Sequence, residues 1–126
     1  MLMSHMDVVE AKREDWSMDP FKLVEKEGYY YGRGTLDVKS GMTAVTVALL
    51  KLKASGFQPD RDIIVFFTGD EETGGVGAKK GAAEWKPLLD AEYGLNSDGG
   101  GGGFTPDGRS LGFGLQTAEK TYADYT

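Results

Sequence analysis

Four polar clusters in this 126-residue chain carry side chains suited to metal-assisted acid–base chemistry: His5 with Asp7, Asp37, the run Asp70-Glu71-Glu72, and Asp98. His5 and Asp7 lie two apart, so on an extended strand they face the same side. That suits a metal-bound imidazole whose second nitrogen is held by a nearby carboxylate. Asp37, Glu72 and Asp98 would add oxygen ligands, and one histidine among carboxylates suits Zn²⁺. Three carboxylates plus a hydroxide balance the charge of two divalent ions. A carboxylate shared by both ions would hold them roughly 3.5–4 Å apart, the arrangement that activates water and clamps a tetrahedral intermediate. Adjacent Glu71 and Glu72 can divide the work, one binding metal and the other handling protons. Singly, each cluster also has an ordinary reading. A lone histidine is commonly a packing residue, an aspartate in a Gly-rich turn is turn chemistry, and acids before a helix complement its dipole.

The elements that must position these groups can be read from hydropathy. Leu2 to Val9 reads as a strand running into a loop, and Ile63 to Thr68 as a strand apolar enough to be buried on both faces. The latter breaks at Gly69 into the three carboxylates. Lys22 to Tyr31 has the pattern of a hairpin turning at Glu27-Gly28. A glycine-flanked loop, Gly32 to Gly41, carries Asp37 into a helix from about Gly41 to Ser55, with Met42, Val45, Leu49 and Leu52 on one face and Gly56 as its stop. Val76 to Lys86 predicts a second helix ended by Pro87. Ala91 to Ser97 is a shorter strand delivering Asp98. Pro106-Asp107-Gly108 marks a turn, with Ser110 to Gln116 and Lys120 to Tyr125 as further strands. Strands alternating with helices predict an α/β fold, a mostly parallel sheet with helices on both faces. The strand ends of such a sheet converge on one crevice.

Composition narrows the function classes. The chain is 40% hydrophobic and 27% charged, the balance of a globular domain. A net charge of −6 without a Lys/Arg cluster argues against nucleic acid or an anionic membrane as partner. With no cysteine, disulfides and thiolate chemistry are excluded. Met1 to Met6 is neither a signal nor a transit peptide, and the compartment, cytoplasmic or periplasmic/secreted, stays open. Gly99 to Gly103 lacks the Lys-Ser/Thr ending of a phosphate-binding loop.

Taken together and in order, five segments carry a family resemblance. They are His5-Met6-Asp7-Val8-Val9, Trp16 with Asp19-Pro20-Phe21, Gly32-Arg33-Gly34-Thr35-Leu36-Asp37-Val38-Lys39-Ser40-Gly41, Gly69-Asp70-Glu71-Glu72-Thr73-Gly74 and Asn96-Ser97-Asp98-Gly99-Gly100. The set closely resembles the co-catalytic zinc peptidases, which include glutamate carboxypeptidases, aminoacylases, acetylornithine deacetylase and succinyl-diaminopimelate desuccinylase. The resemblance implies a three-layer sandwich and hydrolysis of an amide bond in a peptide or N-acyl-amino acid. It implies two Zn²⁺ ions, with Co²⁺ or Mn²⁺ as substitutes. His5 and Asp98 would bind the first ion, Asp37 would bridge both, and Glu72 would bind the second. Glu71 would be the general base, Asp7 would orient His5, and the Asp37–Val38 peptide would be cis.

Departures from the family pattern shape a further expectation. The family's second zinc takes a histidine from later in the chain, and His5 is the single histidine here. A lid or dimerisation domain is also absent, although residues 118–126 resemble the strand leading into one. Residues 1–117 are therefore expected to be a partial catalytic domain of a larger enzyme, incomplete at both ends, which would dimerise through its lid. The alternative is an incomplete or degenerate domain that binds metal without catalysis.

Overall fold

The computed structural model describes residues 1–99 and 101–118. At its centre is β1 (Leu2–His5), flanked by β4 (Val65–Thr68) on one side and β5 (Leu95–Asn96) on the other. Both pairings are parallel, with Leu2 level with Val65 and Leu95, and His5 level with Thr68. Parallel neighbours need long crossovers, and the chain supplies helices for them. The expected mostly parallel α/β architecture is present.

The first crossover is α1 (Lys39–Ala54). Of the four residues expected on its inner face, Met42, Val45 and Leu49 are half-buried, whereas Leu52 is exposed. The helix ends as its sequence predicts. Gly56 adopts φ 73°, its N–H donates to the Lys53 carbonyl and that of Phe57 donates to the Leu52 carbonyl, the paired bonds of a Schellman ending. The second crossover is α2 (Val76–Ala83) followed by a single turn, α3 (Lys86–Leu89). Pro87 therefore sits in the first turn of α3, where its missing N–H costs nothing, rather than simply closing the preceding helix.

The two helices pack on opposite faces of the sheet. A Cβ at Gly81 of α2 would meet the Phe66 ring at 2.7 Å, and one at Gly41 of α1 would meet Ser97 Oγ at 2.5 Å. Phe66 is in register with Met3 and, through it, Asn96, so the next residue, Ser97, points to the other face. The strand Val65–Thr68 is not buried on both faces as its composition suggested. Val65 is 43% exposed, and Ile63 lies outside the strand. Among the described residues β4 has a pairing partner on one side only, so its apolar side chains lack the neighbours that burial would need.

Two hairpins complete the described residues. β2 (Val24–Lys26) and β3 (Tyr29–Tyr31) are joined by Glu27 and Gly28 at φ 54° and 80°, the left-handed pair of a tight two-residue turn. β6 (Gly101–Phe104) and β7 (Ser110–Gly114) form the other. β6 falls in the glycine run that carried no strand signal. Phe113 lies close over it, 2.2 Å from where a Cβ on Gly102 would be, and stacks edge-on against Phe104 at 5.7 Å. The strand expected at Lys120 to Tyr125 lies outside the described residues. Among those described, no helix is long and apolar enough to cross a membrane.

The Gly41–Ser97 approach locks α1 against the end of β5. Gly41→Ala should destabilise the fold by about 1–3 kcal/mol through overpacking. A denaturant midpoint unchanged from wild type would contradict that.

Candidate metal and acid–base site

Each site residue is delivered by the end of an element. His5 is the last residue of β1, and the adjoining Met6 N–H donates to the Thr68 carbonyl at 2.7 Å, carrying the β1–β4 pairing past the imidazole. Asp98 lies two residues beyond β5, in a turn where its N–H donates to Asn96 Oδ1 at 3.1 Å. Asp37 comes from the loop before α1. There the Lys39 N–H donates to the Gly34 carbonyl, Val38 is buried, and the Asp37–Val38 peptide is cis, as the resemblance implied. Glu71 and Glu72 sit in the turn between β4 and α2.

These placements converge at the carboxyl edge of the sheet. His5 Nε2, an Asp37 oxygen and an Asp98 oxygen can all lie within 4.8 Å of one another. Nε2 is 3.0 Å from Asp37 Oδ1, 3.7 Å from Asp98 Oδ2 and 4.0 Å from Glu71 Oε2. The ring is only 2% exposed, and Nδ1 donates to the backbone carbonyl of Asp7 at 3.1 Å. Both ring nitrogens therefore face oxygen acceptors. Such a ring must carry two protons, or surrender the one on Nε2 to a cation at the same position. A nitrogen and two carboxylate oxygens around one point are a donor set that fits a divalent metal ion.

The electrostatics of the metal-free arrangement follow from this crowding. Burial is the largest single influence on His5 and pushes its pKa down. The Asp37 hydrogen bond, the Asp7 carbonyl and the charges of Asp98 and Glu71 together outweigh it and leave the pKa raised. Burial also pushes Glu71 up. The imidazole opposes it, but Asp98, Glu72 and Asp7 add repulsion, so this carboxyl holds its proton more readily than an ordinary glutamate. A carboxyl raised in this way beside a cation site is suited to taking up and returning a proton.

Asp7 does more than its spacing suggested. Its carbonyl, rather than its carboxylate, is the nearer partner of His5, with Oδ1 3.3 Å from Nδ1. The carboxylate accepts the backbone N–H of Glu71 at 3.1 Å and of Glu72 at 2.9 Å. Burial works to raise its pKa, but those two amides, its own amide and the imidazole hold it below the usual range. Asp7 thus couples the imidazole to the acidic turn. No sequence signal could have revealed this, because its amide partners lie 64 and 65 residues away. Glu72 reaches the site through its backbone; its carboxylate is outside the group formed by His5, Asp37 and Asp98. The Lys39 ammonium donates to the Met6 carbonyl, tying the Asp37 loop to the His5 segment.

Residues 1–109 match the sequence profile described as peptidase family M20/M25/M40. The chain belongs to this family. It is similar to the N-fatty-acyl-amino acid synthase/hydrolase PM20D1 of Mus musculus, 41% identical over 91 residues, which are 72% of this chain and 18% of that protein. The human protein of the same name is 41% identical over 80 residues, 64% of this chain and 16% of the relative. A probable succinyl-diaminopimelate desuccinylase of Staphylococcus aureus is 44% identical over 79 residues, 62% of this chain and 20% of the relative. The matches span a fifth or less of the length of these relatives.

Because Asp7 holds both the imidazole and the acidic turn, Asp7→Ala should weaken the affinity of the His5–Asp37–Asp98 group for a divalent metal ion about 10- to 100-fold. Competition against a chromogenic chelator measures this, and an unchanged affinity would show that His5 is fixed without Asp7.

Proposed function

We propose that this chain contributes the metal-holding and proton-moving groups of a zinc-dependent amide hydrolase, acting on a peptide or N-acyl-amino acid. The observation that carries the reading is the meeting of His5, Asp37 and Asp98 at the strand ends with the Glu71 carboxylate beside them. Membership of the M20/M25/M40 peptidases and the activities that the relatives' names state support the same class of reaction.

In this reading His5, Asp37 and Asp98 hold one Zn²⁺. Asp37 and Glu72 would hold a second ion. Zinc bound there would supply Lewis acidity, polarising the scissile carbonyl and making water acidic enough to attack near neutral pH. Glu71 accepts the proton of the attacking water on its carboxylate and returns it to the departing nitrogen. Asp7 keeps Nδ1 of His5 protonated, so that Nε2 presents its lone pair, and fixes the backbone from which Glu71 projects. Glu72 and a shared Asp37 give the second ion two protein ligands, where catalytic zinc ordinarily has three. One ion should therefore bind this chain tightly and the second weakly. Calorimetric titration with two equally tight zinc equivalents would contradict this.

On the substrate side the reading is a peptide or N-acyl-amino acid, with neither nucleic acid nor membrane as partner, in keeping with the net charge of −6. A protein with this metal site that binds zinc and hydrolyses no amide would fit the non-catalytic alternative instead. Glu71→Gln separates the roles of metal and base. In the larger enzyme to which this reading assigns the chain, it should leave zinc content unchanged while lowering turnover of N-acyl-amino acids and dipeptides by about 10²- to 10⁴-fold. Retained turnover would refute Glu71 as the base.

A further inference from the structure

The acidic turn is held from two sides, and only one of them is Asp7. On the other side is Asp70, whose carboxylate points away from the metal group. Its Oδ2 accepts the N–H of Val76 at 2.6 Å and its Oδ1 accepts the N–H of Gly77 at 2.9 Å. These are the first two amides of α2, which have no partner inside the helix. The residue preceding the helix, Gly75 at φ 60°, has no side chain with which to cap it, and the first turn contains no acid of its own. The Asp70 carbonyl meanwhile accepts the N–H of Gly75 at 2.8 Å. Asp70 therefore closes the segment 70–77 into a loop through both its main chain and its side chain. Glu71 and Glu72 lie within that loop.

Gly77 is shaped around this contact. A Cβ there would lie 2.9 Å from Asp70 Oδ1 and 3.4 Å from Thr68 Cβ. The carboxylate could give way only by abandoning the helix amides, because Thr68 closes the other side.

We propose that Asp70 is a positioning residue for the acid–base pair: by binding the α2 amides it fixes the turn from which Glu71 and Glu72 project. With Asp7 accepting the amides of Glu71 and Glu72, the turn is spanned by four hydrogen bonds to two carboxylates. Bonds to ionised acceptors are among the stronger ones available to a surface loop. The inference builds on the hydrolase reading but concerns a mechanical link that exists without metal or turnover.

The test is amide hydrogen exchange by NMR on the metal-free protein, followed by kinetics on the zinc-loaded protein. Asp70→Ala should speed exchange at Glu71 and Glu72 roughly tenfold or more, with Phe66 and Phe67 of β4 unchanged. Asp70→Asn, which keeps one acceptor oxygen, should fall between Ala and wild type, and it carries the test if the alanine variant fails to fold. Gly77→Ala, which displaces the carboxylate without altering it, should give the same signature as Asp70→Ala. The double variant should be little worse than either, because both break one contact. In the zinc-loaded protein Asp70→Ala should lower kcat roughly tenfold or more and leave KM within about threefold. Faster exchange confined to α2, with Glu71 and Glu72 unaffected, would reduce Asp70 to a helix cap and overturn the inference. If Glu71 and Glu72 loosen in a protein whose wild type hydrolyses no amide, the inference stands and the hydrolase reading falls. An active wild type whose exchange and kcat are both indifferent to Asp70→Ala overturns the inference alone.

Discussion

His5 is a nearly inaccessible imidazole with an oxygen against each ring nitrogen, and the rest of the site depends on that constraint. Burial alone would strip the ring of charge. The chain surrounds it instead with Asp37, Asp98 and Glu71, which raise its affinity for a proton and equally suit a cation in the proton's place. One nitrogen is committed to the Asp7 carbonyl, so the other must satisfy the carboxylates. The sheet explains why these groups meet. His5 ends the central strand, Asp98 follows one neighbour, and Glu71 follows the other. The Asp37 loop is drawn in by Lys39 bonding to Met6 and by Gly41 seating against Ser97.

The division of labour between adjacent acids follows from what holds their backbone. Asp70, Glu71 and Glu72 are consecutive carboxylates with three different surroundings. Asp70 faces the amides of α2, and Glu71 faces the imidazole. Glu72 is anchored by its own amide to Asp7, with its carboxylate left apart from the His5 group. The proposed proton carrier, Glu71, has a raised proton affinity and a backbone amide anchored to Asp7. A ligand for a second ion needs partners. Among the described residues Glu72 is offered few, which is why that ion is expected to be weakly held.

Much of the frame was legible from local chemistry. Glu27-Gly28 read as the turn of a hairpin, Gly56 as a suitable helix stop, and the apolar spacing of Met42, Val45 and Leu49 named the inner face of α1. What escaped was set by non-local packing. β6 consists largely of glycines and owes its strand to the Phe113 ring laid across it, which intrinsic propensity cannot foresee. Val65 is exposed where β4 has, among the described residues, a neighbour on one side only, although its sequence reads as a buried strand. For the site, the types and spacing of His5, Asp37, Glu71 and Asp98 singled out side chains that the fold does bring together. The turn contacts of Asp7 and Asp70 were not legible, because they depend on which amides point inward after folding. Asp70 in particular reads as one more acid in an acidic run.

The central claim is that His5, Asp37 and Asp98 hold a zinc ion at the carboxyl edge of the sheet. The most direct measurement is anomalous diffraction at the zinc edge from crystals of the zinc-loaded protein. The account predicts a strong anomalous peak about 2.0–2.2 Å from His5 Nε2 and from one carboxylate oxygen each of Asp37 and Asp98. A zinc ion bound elsewhere, with His5 Nε2 still hydrogen-bonded to Asp37, would contradict it.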